Sequence, residues 1–452
     1  MASTKLTRTN GTSTNLKKWT WSAWIKRGII GTQETFAVSR YDDSNYSRIR
    51  TDPDVLQFED RFSSVTRTDI KSNEKFRDPN AWMHVVVRID YTQSSAADRA
   101  RMYVNGTEVT YATTTRQSQD GNSYFNESVP HALGHYNDNN YFHGCMSHVH
   151  FTDGYSYAPT EFGETDSTTG QWKIKTSPSV TYGNNGYFVL KDGNGVTDQS
   201  GNSNNFTVGS GTLTQTEDNP SNNFAKFNPL FRHGQTTSDS KDFFENAHTT
   251  FYTPDSNNAR KGFFVSSLGM SSGKYYCEMK IKAGARLFVG ICNMNVLKST
   301  SVPYDLTNQS FIGYYPLDGN VKYDSDSTYA TSVTTPENNI LGFALDMDNS
   351  HWYIHKNGTY INSGDPTSGS TGTGSIIGNI TSGSSYFNHG EMFFMAADFS
   401  TTGYARVEYN FGNGFFGTTA ITSEGTNASG IGKFEYDVPT GYTALSTKGL
   451  NE

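Results

Sequence analysis

Long apolar runs are missing from this 452-residue chain: no stretch of about 18 apolar residues occurs, so no membrane-spanning helix is predicted. Blocks of Lys and Arg are missing too, and the formal net charge is −8. A phosphate backbone demands a clustered basic face, so nucleic acid is not expected as a partner. Cysteine is scarce, with only Cys145, Cys277 and Cys292 present. Their odd count and the lack of a C-x-x-C spacing argue against a disulfide framework or a redox motif, and fit buried strand residues of a protein assembled in a reducing cytoplasm. The N-terminus, Met1-Ala2-Ser3-Thr4-Lys5, has no apolar h-region, so no secretory signal is expected. Charged residues reach only 18% and few segments carry Leu, Ala, Glu and Lys at helical spacing.

What is present points one way. Aromatic residues make up 14% of the chain, among abundant Asn, Ser, Thr and Gly. Tyr, Phe, Trp and Thr suit pleated, half-buried strands, while Gly and Asn suit tight turns. The fold class read from this is all-β, and the length implies two or three domains, each with its own core.

The first domain is expected over 1–165. Trp19, Trp21, Ala23 and Ile25 alternate with Thr20, Ser22 and Trp24, a period-2 strand with apolar residues on both faces. Trp82 to Ile89 (WMHVVVRI) reads as a buried strand, and RMYV, Asn105-Gly106 and TEV read as a hairpin. Asn140 to Asp153 alternates again. In that order, WTWSAWIKRG, WMHVVVRIDY, RMYVNGTEV and ALGHYNDNNYFHGCMSHVHFTDG resemble the strand series of laminin-G/concanavalin-like jelly rolls.

Residues 166–230 read as an ordered connector with short strands, because Tyr187, Phe188, Leu190, Phe206, Phe224 and Phe227 are too many large apolar side chains for a floppy linker. A second antiparallel sandwich is expected over 231–420. Its segments GKYYCEMKI, FVGI, IGYYPLDG, NNILGFALDMDNSHWYIHKNGTYI and VEYNFGNGFF resemble the SPRY (B30.2-like) pattern. Within it, the Gly/Ser/Thr-rich run over 363–385 reads as a long surface loop, and 421–452 as a C-terminal extension. A laminin-G-like sandwich, a DQSGNSNNFT connector, a DNPSNNFAKFNPL bridge and a SPRY-like domain together resemble proteins of tailed-bacteriophage virions. The resemblance implies a virion location, other virion proteins as partners and a homo-oligomer.

Enzymatic chemistry is not expected. A retaining glycosidase needs two carboxylates about 5–5.5 Å apart, which a sandwich supplies from alternate residues of one strand. No E-x-D-x-x-E run exists; the nearest pairs are Asp346 with Asp348, and Glu161 with Glu164. His131, His135, His143, His148 and His150 fall within twenty residues, and two of them at i, i+2 could share a strand face. They read rather as half-exposed strand residues beside Tyr and Phe. No cofactor is expected; calcium is the one ion that the Asp/Asn-rich loop 136–140 could serve through oxygen ligands.

Glycan binding is the more serious functional reading, since sugar sites pair an aromatic platform with Asn, Asp and backbone donors on loops. The candidates are Tyr136, Asn137, Asp138, Asn140 and Tyr141 in the first domain, and Tyr314, Tyr315 and Asp318 in the second. Tyr/Asn-rich loops are also ordinary hydrophilic turns. The rival functions are a polysaccharide-degrading hydrolase and a secreted adhesin or peptide-binding scaffold.

Overall fold

The computed structural model describes residues 3–191, 195–231, 244–253, 263–284, 286–298, 310–323, 327–380, 382–398 and 404–452. It is all-β, with 44% strand and 8% helix, and among the described residues its sheets are antiparallel apart from one short parallel pairing. The chain divides into two compact units: residues 1–215 with 219–221, and 216–218 with 222–452.

The first unit is a sandwich of two sheets. One runs in the order Tyr111–Thr115, Val65–Lys75, Val55–Phe62, Asn45–Thr51, Glu34–Asp42, Pro130–Leu133, Lys5–Thr9, Thr207–Ser210. The other runs Tyr187–Val189, Gly144–Asp153, Lys18–Arg27, Met83–Asp90, Ala100–Val104, Thr107–Glu108. Between them, Trp19, Trp21, Ala23 and Ile25 meet Phe36, Ile49, Phe58 and Ile70 in one core. The alternation that marks Lys18–Arg27 as a strand is thus the alternation that fills this core.

Both faces of that strand are buried, and the second face has its own explanation. Ser22 and Trp24 contact His84, whose ring lies stacked with Trp24 on one pairing and Trp172 on another. Trp172 Nε1 donates to His84 Nδ1 at 3.0 Å, which leaves Nε2–H to donate to Ser22 Oγ at 2.7 Å. Trp172 comes from a hairpin of Gly163–Thr165 with Trp172–Ile174. Its indole lies so close to Gly106 that a Cβ there would collide with it, and Gly106 has φ +78° after Asn105 at φ +50°. The Asn-Gly turn therefore serves both the hairpin's twist and the seat of Trp172.

The segment 166–230 is more than a connector. Tyr187–Val189 and Thr207–Ser210 are edge strands of the two sheets, and Tyr187 and Phe206 lie in the same core as Trp19. The first sandwich therefore takes in strands beyond residue 165, because burying those rings requires the segment to complete the sheets.

The second unit pairs two sheets among its described residues. One runs Phe244–Glu245, Thr250–Thr253, Ala405–Asn410, Lys274–Ala283, Ile340–Asp346, His351–Lys356, Thr359–Tyr360, with Thr443–Ala444 added beside Lys274–Ala283 in parallel. The other runs Phe263–Val265, Met392–Asp398, Leu287–Asn293, Phe311–Tyr315, Asn320–Tyr323, Ser327–Ala330. Cys277, Phe343 and Ile354 share one row facing the core. The Gly/Ser/Thr-rich run is not simply a surface loop: Ile376, Ile377 and Ile380 are buried in the core. Three apolar side chains in five residues outweigh the low complexity around them.

Candidate glycan-binding face

The register of the first unit's larger sheet sorts its side chains into two sets. Ala37, Ile49, Phe58 and Ile70 are aligned across four strands and face the core. The neighbouring positions must then point outward. One outward row is Val38, Arg48, Glu59, Asp69; the next is Thr35, Arg50, Gln57, Lys71; and a third places Arg40, Tyr46 and Arg61 side by side.

These rows are bonded into a polar ladder. Arg48 Nε and Nη2 donate to Glu59 Oε2 at 3.0 and 2.8 Å, and Tyr46 OH donates to Glu59 Oε1 at 2.9 Å. Arg50 Nε donates to Gln57 Oε1 at 2.7 Å, and Gln57 Nε2 passes the chain on to Asp69 Oδ1 at 2.6 Å. Asp52 takes an ion pair from Arg50 at 3.3 Å and from Lys71 at 2.8 Å. The hydrogen bond from Lys71 and the nearby Arg50 charge hold the Asp52 carboxyl below its ordinary value despite partial burial. Long side chains lying along one another leave this face only partly wetted; Glu59, for example, is 12% exposed. None of these ladder residues was singled out from sequence. The signal was there in the alternation of VLQFEDRF and NYSRIRT, but knowing which strands are neighbours is what turns scattered charges into rows.

The loop 135–141 folds onto this face. Tyr136 and Asn139 exchange backbone hydrogen bonds at 2.9 and 2.8 Å around a turn in which Asn137 and Asp138 have φ +47° and +53°. Positive φ at both central positions suits Asn and Asp. The Tyr136 ring carries the Arg48 guanidinium at 4.5 Å and that of Arg40 at 5.6 Å, and meets Tyr46 edge-on at 5.4 Å. Asn140 donates to Gln33 at 3.4 Å and accepts from Thr35 N at 3.0 Å. Of the five residues expected here, Tyr136 and Asn140 therefore border the ladder. Asn137 and Asp138 form the exposed turn tip, with Asp138 paired to Lys5, and Tyr141 stacks on His135.

In the second unit the expected aromatic platform is not on the surface. Tyr314 is fully buried, its hydroxyl donating to Val333 O and lying 3.0 Å from Thr335 Oγ1. Tyr315 packs on Phe288 in a smaller apolar cluster. Asp318 is exposed, but accepts from Asn320 N and Nδ2 at 2.8 Å each, which fixes the turn into the next strand. The run IGYYPLDG alternates as a strand whose tyrosines are core, and the glycan assignment of Tyr314 and Tyr315 is corrected accordingly.

The histidines do not form a ligand set. His131 lies between Ser39 Oγ at 2.7 Å and Tyr187 OH at 2.9 Å, and burial pushes its imidazole down to about 3. A register shift between Ser147 and His150, with His148 at φ +50°, breaks the simple i, i+2 alternation. His148 bonds Ser147 at 2.8 Å, while His150 bonds Tyr182 at 2.9 Å. Among the described residues no group of three or more His, Cys, Asp or Glu side chains converges to hold a metal ion. The oxygen-rich turns use their carboxylates internally: Asp153 accepts from Thr14 N, Asn15 N, Asn126 Nδ2 and Asn185 N. Asp198 likewise accepts from Phe188 N, Ser200 N, Ser200 Oγ and Asn204 N. Carboxylates surrounded by N–H and O–H donors organise turns, since a cation would face those same donors.

The carboxylate pairs weighed for catalysis are also in structural use. Asp346 is buried, paired to Lys274 at 2.9 Å and accepting from Asn349; Asp348 accepts from Gly273 N at 2.7 Å. Glu164 lies 3.3 Å from Lys173, and Glu161 ends the short 3-10 turn that precedes that hairpin.

The second unit contains a different polar cluster, on the outward face of its larger sheet. Glu278 accepts from the backbone N–H of Glu435 at 2.9 Å and Tyr436 at 2.8 Å, from Tyr276 OH at 3.1 Å and from Asn410 Nδ2 at 3.4 Å. Tyr276 is also 2.6 Å from His355 Nε2, and Gly358 N donates to His355 Nδ1 at 3.1 Å. Burial outweighs the four donors and pushes the Glu278 carboxyl up to about 7. Phe434, Val438 and Tyr442 of the C-terminal extension cover this face together with Phe224.

No curated protein matches the chain. Among solved structures it is similar to the SPRY domain of human HERC1, with 16% identity over 36% of this chain and 87% of that one and a TM-score of 0.25. It is similar to a Bacteroides ovatus protein described as carbohydrate-binding, with 15% identity, coverage of 47% and 60%, and a TM-score of 0.32. It is also similar to mouse laminin alpha1 domains LG4-5, with 10% identity, coverage of 97% and 94%, and a TM-score of 0.29. Residues 2–161, within the first unit, match the family model Laminin_G_3, described as the concanavalin A-like lectin/glucanases superfamily, so this part of the chain is laminin-G/concanavalin-like.

Proposed function

We propose that this is a non-enzymatic, lectin-like structural protein of a tailed-phage particle, acting as a capsid decoration, knob, head fibre or tail-fibre-like subunit. Its first sandwich binds glycan on the outward face of the larger sheet. The observation that carries the binding reading is the ladder of Arg48, Glu59, Arg50, Gln57 and Asp69 bordered by Tyr136. Arg50 and Gln57 are buried within it, while the partly exposed Arg48, Glu59, Asp69 and Tyr136 present donors, acceptors and an aromatic edge on one surface, the combination that orients sugars. The superfamily match over 2–161 supports the same reading. The particle assignment rests on the order of sequence motifs, and carries with it other virion proteins as partners and a homo-oligomer, in which several weak sites would act together.

One observation favours a second reading, a glycoside hydrolase: Glu59 and Asp69 are direct cross-strand partners on the outward face. Both carboxylate oxygens of Glu59 are, however, already engaged as acceptors, Oε2 from Arg48 and Oε1 from Tyr46. Glu59 therefore suits an acceptor for hydroxyls. Two experiments test the proposal. Immunogold labelling of purified particles is expected to mark capsid or tail, and unlabelled particles would remove the virion assignment. Glycan-array binding without reducing-sugar release is expected of the protein, and release of sugar would replace binding with hydrolysis.

A further inference from the structure

We infer that the ligand of this face is an uncharged oligosaccharide running across the strands, held without a metal ion. The inference rests on the glycan-binding reading above and narrows it. Within the two central outward rows and Asp52, three cations, Arg48, Arg50 and Lys71, stand against three carboxylates, Glu59, Asp52 and Asp69. Each of the three cations already has a carboxylate within 3.3 Å. A sulfate or uronate arriving here would have to compete with those carboxylates and would meet their repulsion. A sugar hydroxyl has no such conflict, because it donates to a carboxylate oxygen and accepts from a guanidinium or ammonium in the same place.

The dimensions fit a chain rather than a single sugar. The rows cross from Glu34–Asp42 to Val65–Lys75, three inter-strand spacings, or roughly 14 Å. Tyr136 stands over the strand Asn45–Thr51 within this span, where its ring is already fixed by Arg48 and Tyr46. A ring so held adds contact area with little loss of rotamer freedom on binding. Arg61, one row further along, lies outside the balance of the central rows.

The test is calorimetric titration of the full chain, in EDTA, with two sets of hexasaccharides. The neutral set is cello-, laminari-, xylo-, manno- and maltohexaose; the acidic set is oligogalacturonate and a heparin-derived hexasaccharide. Binding is expected from the neutral set, with a Kd that changes less than about threefold between 50 and 500 mM salt, since no net charge is neutralised. Glu59→Gln and Arg48→Lys are each expected to weaken it about tenfold or more with the first unit still folded in denaturation curves, and an unchanged affinity in both would remove the ladder from the site. Binding confined to the acidic set, with affinity falling about tenfold over that salt range, would overturn the uncharged class and leave glycan binding standing. Binding of neutral sugars only when calcium replaces EDTA would overturn the metal-free part. No binding from either set would overturn this inference and the glycan-binding reading together.

Discussion

Two sheet faces in this chain start from the same pattern and end differently. Both larger sheets alternate core residues with outward tyrosines, glutamates and hydrogen-bonding partners. In the first unit the outward Glu59 is answered by the Arg48 guanidinium and is still reached by water. In the second unit the outward Glu278 has only neutral donors and is fully buried beneath the C-terminal extension. A guanidinium compensates the one carboxylate, while burial among neutral donors raises the cost of charge on the other. The first face is equipped to meet a ligand, and the second already holds one, which is the chain's own tail.

The largest effect that separates the two faces comes from removing 421–452. The loss of Phe434, Val438, Tyr442 and Leu445 from buried positions is expected to cost about 6–10 kcal/mol, comparable to the whole stability of a domain. Scanning calorimetry should then show one transition, from the first unit, in place of two; two retained transitions would mean that the tail is dispensable.

Glu278→Gln tests the buried carboxylate by pH. In the folded protein Glu278 keeps its proton up to about 7, whereas the unfolded chain releases it near its ordinary value of 4.5. Its stabilising effect is thus complete below about pH 4.5 and is lost as pH rises through 7, by roughly 3 kcal/mol in all. Denaturation of the second unit between pH 4.5 and 8 is expected to show that decline in the wild type and a flatter profile in the variant. Equal slopes in both would show that Glu278 is not the titrating group.

On the first unit's face the same type of change is expected to cost less stability. Arg48→Ala breaks a mostly buried ion pair and leaves Glu59 without its cation, a cost of about 1–3 kcal/mol, and should weaken hexasaccharide binding at least about tenfold. Tyr136→Ala is the smallest effect in the series: a loss of about three- to tenfold in affinity, read by the same titration, with no shift in Tm. If Tyr136→Ala destabilised the first unit more than it affected binding, the loop would be a brace for Arg48 and not a wall of the site.

Much of the fold was legible because burial and period coincide in single strands. Lys18–Arg27, Ile340–Asp346 and the Asn105-Gly106 turn are each specified by a few adjacent residues. The candidate site was legible only in part. Tyr136 and Asn140 stand out as an aromatic and an amide in a turn, and the structure does bring them to the ladder. Tyr314 and Tyr315 carry the same chemistry in the same kind of sequence, but one is core and the other caps an apolar cluster. A tyrosine next to Pro, Asp and Gly looks the same from sequence whether its ring faces in or out.

By itself, then, the sequence determined the all-β class, some of the strands and the Asn105-Gly106 turn, since these depend on contacts between residues close along the chain. Only the tertiary structure decided that Arg48, Glu59 and Asp69, from three strands, form one row, and that residues 434–442 close over Glu278. Both depend on strand neighbours and on a covering segment brought together from far apart in the chain. A carboxylate's role follows from what those distant partners are, a guanidinium in water or peptide N–H groups in the dry.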